Sequence, residues 1–229
     1  MLFSFASTFR KYVKVREPVN ANPPLTPYQK EQLDCLFLVR GYWKTLGVRE
    51  KKRLDVLITD YLRFRRDVGS FFQTHFAEIC SEKCFRSRLS ACCSRDGIIT
   101  FFADVAVNVF VSGEAELDGL QEALENPHQG SKCIYLGAGG CLWRVKPVVC
   151  EMFLCDAAKE KVFGEIAAAK QQWDQFIERK KQFTWPDCPV LFDILEDIFI
   201  KSGYDSSLMY MHSSPGLLRV KKQGRKRKV

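Results

Sequence analysis

At 229 residues and 46% hydrophobic, the chain has enough apolar side chains for one ordinary core and too many to be disordered. Its formal net charge of +8 is uneven, because Lys221, Lys222, Arg225, Lys226, Arg227 and Lys228 supply six of those eight charges. The body is therefore nearly balanced, and a pI near 9.0 does not make the fold itself a nucleic-acid surface. The most apolar window, Ile98 to Val111, is interrupted by Asp104 and Asn108 and is shorter than the roughly 20 residues of a spanning helix, so no membrane span is expected.

Pro18, Pro23 and Pro24 mark an irregular leader over residues 1–26. Thr26 or Pro27 then opens a helix to about Thr45, with Leu33, Phe37 and Trp43 on its apolar face. A longer helix is predicted from about Glu50 to Ile79, where Leu54, Leu57, Ile58, Tyr61, Leu62, Val68, Phe72 and Phe76 recur at steps of three and four. Gly47 closes the pair into a hairpin.

Beyond the cysteines that follow, Phe101, Val105, Val109 and Phe110 read as a buried helix, and Leu117, Leu120 and Leu124 as a short one ending near Pro127. Cys133 to Leu136 is strand-like, Gly137, Gly139 and Gly140 supply turn residues, and Cys141 to Trp143 resumes the strand, which predicts a hairpin or tight loop. Pro147 starts a short helix carrying Val149, Cys150, Phe153 and Cys155. One long amphipathic helix is predicted over Ala157–Phe183, with Val162, Ile166, Ala169, Trp173, Phe176 and Ile177 on one side. The last, Val190–Ser202, stops at Gly203 and leaves Tyr204–Leu218 irregular. These elements predict a mainly α fold: a helical bundle over residues 27–218 with an embedded cysteine-rich region at 80–155, followed by a basic tail at 219–229.

Cysteine is the outlier. Ten are present, and eight of them fall between Cys80 and Cys155 in the pattern C-x3-C-x7-C-C, a long gap, then C-x7-C-x8-C-x4-C. Disulfides need an oxidising compartment. The apolar stretch Met1 to Phe9 is too short for a secretory segment and is followed, not preceded, by Arg10, Lys11 and Lys14. The expected location is cytoplasmic, where clustered thiols are metal ligands more often than redox groups or disulfides. Thiolates are soft donors that suit zinc or iron, including an iron–sulfur cluster.

The candidate ligands are Cys80, Cys84, Cys92, Cys93, Cys133, Cys141, Cys150 and Cys155, enough for one site or two. If the helix persists, Cys80 and Cys84 lie one turn apart on the same face, whereas the side chains of Cys92 and Cys93 diverge. His75, His128 and His212 are not closely spaced, so a shell made wholly or mostly of thiolates is expected. Cys35 and Cys188 stand apart as ordinary thiols.

The pattern resembles the YkgJ-like, or CxxCxxCC, cysteine-cluster family, described as a putative zinc- or iron-chelating domain. The likeness rests on Cys80, Cys84 and the Cys92-Cys93 pair before Gly97-Ile98-Ile99. It rests further on Cys133-Ile-Tyr-Leu136, Cys141-Leu-Trp143 and Lys146-Pro-Val-Val-Cys150. It covers about a third of the chain. The upstream spacing is longer than the two and two of the family, and Lys146 replaces its usual Arg. The resemblance implies metal chelation, and a related family of flagellin lysine methylases adds an enzymatic alternative, in which an iron–sulfur cluster serves electron transfer or protein lysine N-methylation.

Four other features are assigned more ordinary roles. The glycines of Leu136–Gly140 lack the strand–loop–helix context of a nucleotide loop and are read as a turn between ligands. Asp104 is read as a helix-surface or capping residue before an additional oxygen ligand. The tail at 221–228 is read as a solvated end, with weak contact to nucleic acid, a ribosome or an anionic surface as the alternative. Phe71, Phe72, Phe76, Trp173 and Phe176 are read as core.

Overall fold

The computed structural model describes residues 24–80, 99–127, 133–185 and 189–227, the last four by backbone alone. Among them the expected mainly α class holds: ten helices and one small antiparallel sheet. Residues Met1–Pro23, and with them Cys84, Cys92, Cys93, His128 and Cys188, lie outside the described residues.

Helix α1 spans Pro27–Thr45. Its start is fixed chemically: the Thr26 hydroxyl accepts from the Gln29 amide at 3.2 Å, and the Gln29 carboxamide oxygen accepts from the Thr26 amide at 2.9 Å, a reciprocal cap with Pro27 in the first turn. Leu33, Cys35, Leu36 and Val39 are buried, whereas Phe37, expected on that face, is 46% exposed. Helix α2, Val48–Ala77, continues into a single π-helical turn over residues 78–80. Its arginine-rich sequence still buries Leu54, Ile58, Tyr61, Phe64, Val68, Phe71 and Phe76.

Helix α3, Phe102–Val111, is the centre of the bundle. Residues 102–110 are all buried, because α1, α2 and α8 (Leu191–Lys201) pack around it. Helix α4, Glu114–Glu125, runs antiparallel to α1: Gln29 donates to the Leu124 carbonyl at one end, and Arg40 binds Glu114 and Asp118 at the other. Strands β1 (Leu136–Gly137) and β2 (Gly140–Cys141) form the predicted hairpin, with Leu136 opposite Cys141. Gly140 sits at φ +117, a conformation L side chains avoid, so the glycine-rich stretch is a hairpin turn. Helix α5 is a single turn, Val148–Glu151, so Phe153 and Cys155 lie beyond it.

Two expectations require correction. The long helix over Ala157–Phe183 is two helices, α6 (Asp156–Glu165) and α7 (Ala167–Thr184), parted at Ile166, whose φ −126 and ψ 86 are not helical. The break folds α6 against α7 and brings the Phe163 and Trp173 rings to 6.5 Å, while Ile166 itself is 41% exposed. Helix α7 then lies antiparallel along α2, with Trp173 stacked on Phe71 and Phe183 on Phe64. The second correction concerns Tyr204–Leu218, expected to be irregular. It contains α9 (Tyr210–Ser213) and the start of α10 (Pro215–Arg227), so the basic tail is the continuation of a helix that begins inside the body. Pro215 supplies a first-turn residue, and a Lys221–Asp193 ion pair ties α10 to α8.

Candidate metal centre

Five of the eight candidate ligands are described. Cys80 closes the π turn that ends α2, Cys133 lies three residues before β1, and Cys141 lies on β2. Cys150 is in α5, and Cys155 opens α6, its carbonyl accepting from Ala158 and Lys159. Cys133 is buried and the other four are half-buried. Among the described residues, no three His, Cys, Asp or Glu side chains are gathered closely enough to hold a metal ion.

Cys133 and Cys150 share one neighbour, Tyr28. Both lie within electrostatic reach of the Tyr28 hydroxyl, delivered by the first turn of α1. That hydroxyl is buried and makes no well-formed hydrogen bond, although the Tyr135 phenol stands beside it. Burial, then Cys133 and more weakly Cys150 and Glu31, push the Tyr28 phenol up, and the Tyr135 phenol is raised by burial, Tyr28 and Cys133. Tyr135 is held in turn by the Trp143 ring, edge-on at 5.3 Å. The two phenols therefore stay protonated near neutrality in largely desolvated surroundings.

The stretch that carries Cys150 is fastened to the bundle by buried polar side chains. Asn108 Oδ1 accepts from the Val145 amide at 2.9 Å, and Asp104 Oδ1 accepts from the Val148 amide at 3.0 Å. Arg65 Nη2 donates to the Lys146 carbonyl at 2.6 Å, Arg65 Nε donates to Glu151 at 2.8 Å, and Arg65 Nη1 donates to the Tyr61 hydroxyl at 2.6 Å. Asp104 also accepts from the Phe101 amide at 3.1 Å. It is therefore a capping residue, as expected, but in the interior and not on a helix surface. Burial pushes its carboxyl up to about 6, against the opposing pull of Arg65 and of the two amides.

Sequence reasoning singled out the thiols and Asp104 but missed Tyr28, Tyr135, Arg65, Asn108 and Glu151. Two signals were available. Arg65 lies four residues after Tyr61 on the buried face of α2, and Asn108 lies four after Asp104 in a helix otherwise apolar; polar groups are placed so only where they have partners. Cys35, apart from the cluster, is fully buried in α1, and burial pushes its thiol up to about 12. His75 and His212 are placed elsewhere, His75 against Phe71 and His212 between Glu196 and Asp193. No helix among the described residues is long and apolar enough to cross a membrane. Comparison with protein-family models, curated proteins and solved structures finds no match.

Proposed function

We propose that this protein binds zinc or iron through cysteine thiolates, in the manner of the YkgJ-like cysteine-cluster proteins it resembles. The ligands come from Cys80, Cys84, Cys92, Cys93, Cys133, Cys141, Cys150 and Cys155. The observation that carries this reading is the clustering of eight of the ten cysteines between Cys80 and Cys155, two of which, Cys133 and Cys150, lie within electrostatic reach of the buried Tyr28 hydroxyl. The donor chemistry supports it: partly buried thiolates are costly alone and favourable around a soft divalent cation or an iron–sulfur cluster. The bound metal would supply a structural cross-link, or, as a cluster, an electron-transfer centre. The chain's own contribution is to gather and shield the thiols.

The test is metal content of the full chain purified anaerobically, with Cys133→Ser and Cys150→Ser as variants. Loss of bound metal in both supports the assignment, and metal content equal to that of the unaltered chain in both removes these residues from the ligand set. Acid-labile sulfide with a dithionite-bleached visible band would select the enzymatic alternative of electron transfer, whereas calorimetric binding of a methyl donor would select protein lysine N-methylation.

A second reading is favoured by one specific observation: α10 is docked, with Lys221 turned to Asp193 while Arg219 and Lys222 face outward. A cationic face held by a folded helix suits phosphate contacts of a nucleic acid. Arg219→Gln with Lys222→Gln should then weaken binding to an RNA duplex and flatten its salt dependence by about two charges; an unchanged salt slope removes this reading.

A further inference from the structure

The geometry points to Asn108, Asp104 and Arg65 as positioning residues for Cys150, a role that rests on the thiolate reading above. Three buried side chains from two helices place their polar atoms on one short irregular segment, Val145 to Val148, which leads to Cys150 two residues later. Arg65 grips both sides of that cysteine, the Lys146 carbonyl before it and the Glu151 carboxylate after it. Asn108 is 1% exposed, Asp104 3% and Arg65 5%, so each is desolvated to make these bonds.

Filling the interior would not require this chemistry. Apolar side chains of similar volume pack a core as well or better, and a buried ion pair is weak evidence of a purely stabilising role. Asn108 sharpens the point, because its Nδ2 is buried without a hydrogen-bond partner while its Oδ1 holds Val145. Retaining an amide with one unmet donor is costly, and what the residue delivers is a fixed backbone position beside Pro147. The clamp fixes the backbone that carries the Cys150 thiol, and outer groups that orient a ligand typically alter metal affinity by about 10- to 100-fold.

The experiment is a competitive titration of cobalt(II) into the reduced full chain, read by its thiolate charge-transfer band, with the metal-free melting temperature measured in parallel. Asn108→Leu keeps the branching at Cγ and removes the hook on Val145. Val107→Ala, in the same helix at a fully buried position outside the clamp, serves as the stability control. Asn108→Leu is expected to weaken cobalt binding about tenfold or more and to shift the band, while Val107→Ala lowers the melting temperature but keeps the affinity and spectrum of the unaltered chain. Arg65→Lys, which leaves a cation against Glu151 but cannot also hold Lys146, should reproduce the weakening and covers a failure of Asn108→Leu to fold. Affinity and spectrum unchanged in both clamp variants would overturn the positioning role and leave metal binding intact. An unaltered chain that binds no cobalt would overturn the thiolate reading, and the positioning role with it.

Discussion

Arg65 joins three groups, Tyr61, the Lys146 carbonyl and Glu151, and acts electrostatically on Asp104, which two backbone amides also hold. Burial alone would lower its basicity, but Tyr61, Glu151 and Asp104 outweigh that and hold it charged. Arg65→Met strands buried partners and should lower the unfolding free energy by about 3–5 kcal/mol, read from urea denaturation. A loss below about 1 kcal/mol would mean that water reaches these groups. At Cys35 the expectation is kinetic. With its thiol pushed up to about 12, little thiolate exists near neutrality, so an aromatic disulfide reagent at pH 8 should leave Cys35 unmodified until denaturant is added. Fast labelling of Cys35 in the native chain would contradict its burial.

At the scale of elements, periodicity identified most of the helices and failed where one residue breaks an amphipathic run. Val162, Ala169, Trp173 and Phe176 are buried as the pattern predicted, yet Ile166 between them leaves the helix, because α6 and α7 gain more by folding on each other around Phe163 and Trp173 than by staying collinear. Composition hid α10 for the opposite reason: its cations read as a solvated tail, but Leu217 and Lys221, one turn apart, dock it. Gly203 ends α8 at φ +83 with open space where a Cβ would stand. Gly203→Ala should therefore cost about 1–2 kcal/mol of purely conformational strain, visible as a lower melting temperature. Helix α3 introduces a pH dependence through Asp104. Its carboxyl is raised from 3.8 to about 6 on folding, so the native state binds more protons than the unfolded chain across that interval. The contribution to stability is greatest below it, falls as pH rises through it and is constant above. Urea titrations from pH 4 to pH 7 should show this decline in the native chain and lose it in Asp104→Asn; identical slopes in the two would contradict the burial of a charged carboxylate.

For the molecule as a whole, the helical class, the hairpin between Cys133 and Cys141 and the central burial of α3 were legible, because each follows from hydrophobic period or turn chemistry. The thiols were legible as a set, since their clustering is a property of sequence alone. What holds them was not. Tyr28 on α1 comes within electrostatic reach of Cys133 and Cys150, and Arg65 on α2 and Asn108 on α3 hold the backbone before Cys150; contacts across such separations leave no local pattern. The proposal that this frame presents thiolates to a metal is tested by elemental analysis of the anaerobically purified full chain, with an absorption spectrum of the same sample. The prediction is zinc or iron at about one equivalent per chain or more, with thiolate ligation in the spectrum. A full chain carrying neither metal, and taking up neither when reduced and offered both, would contradict it.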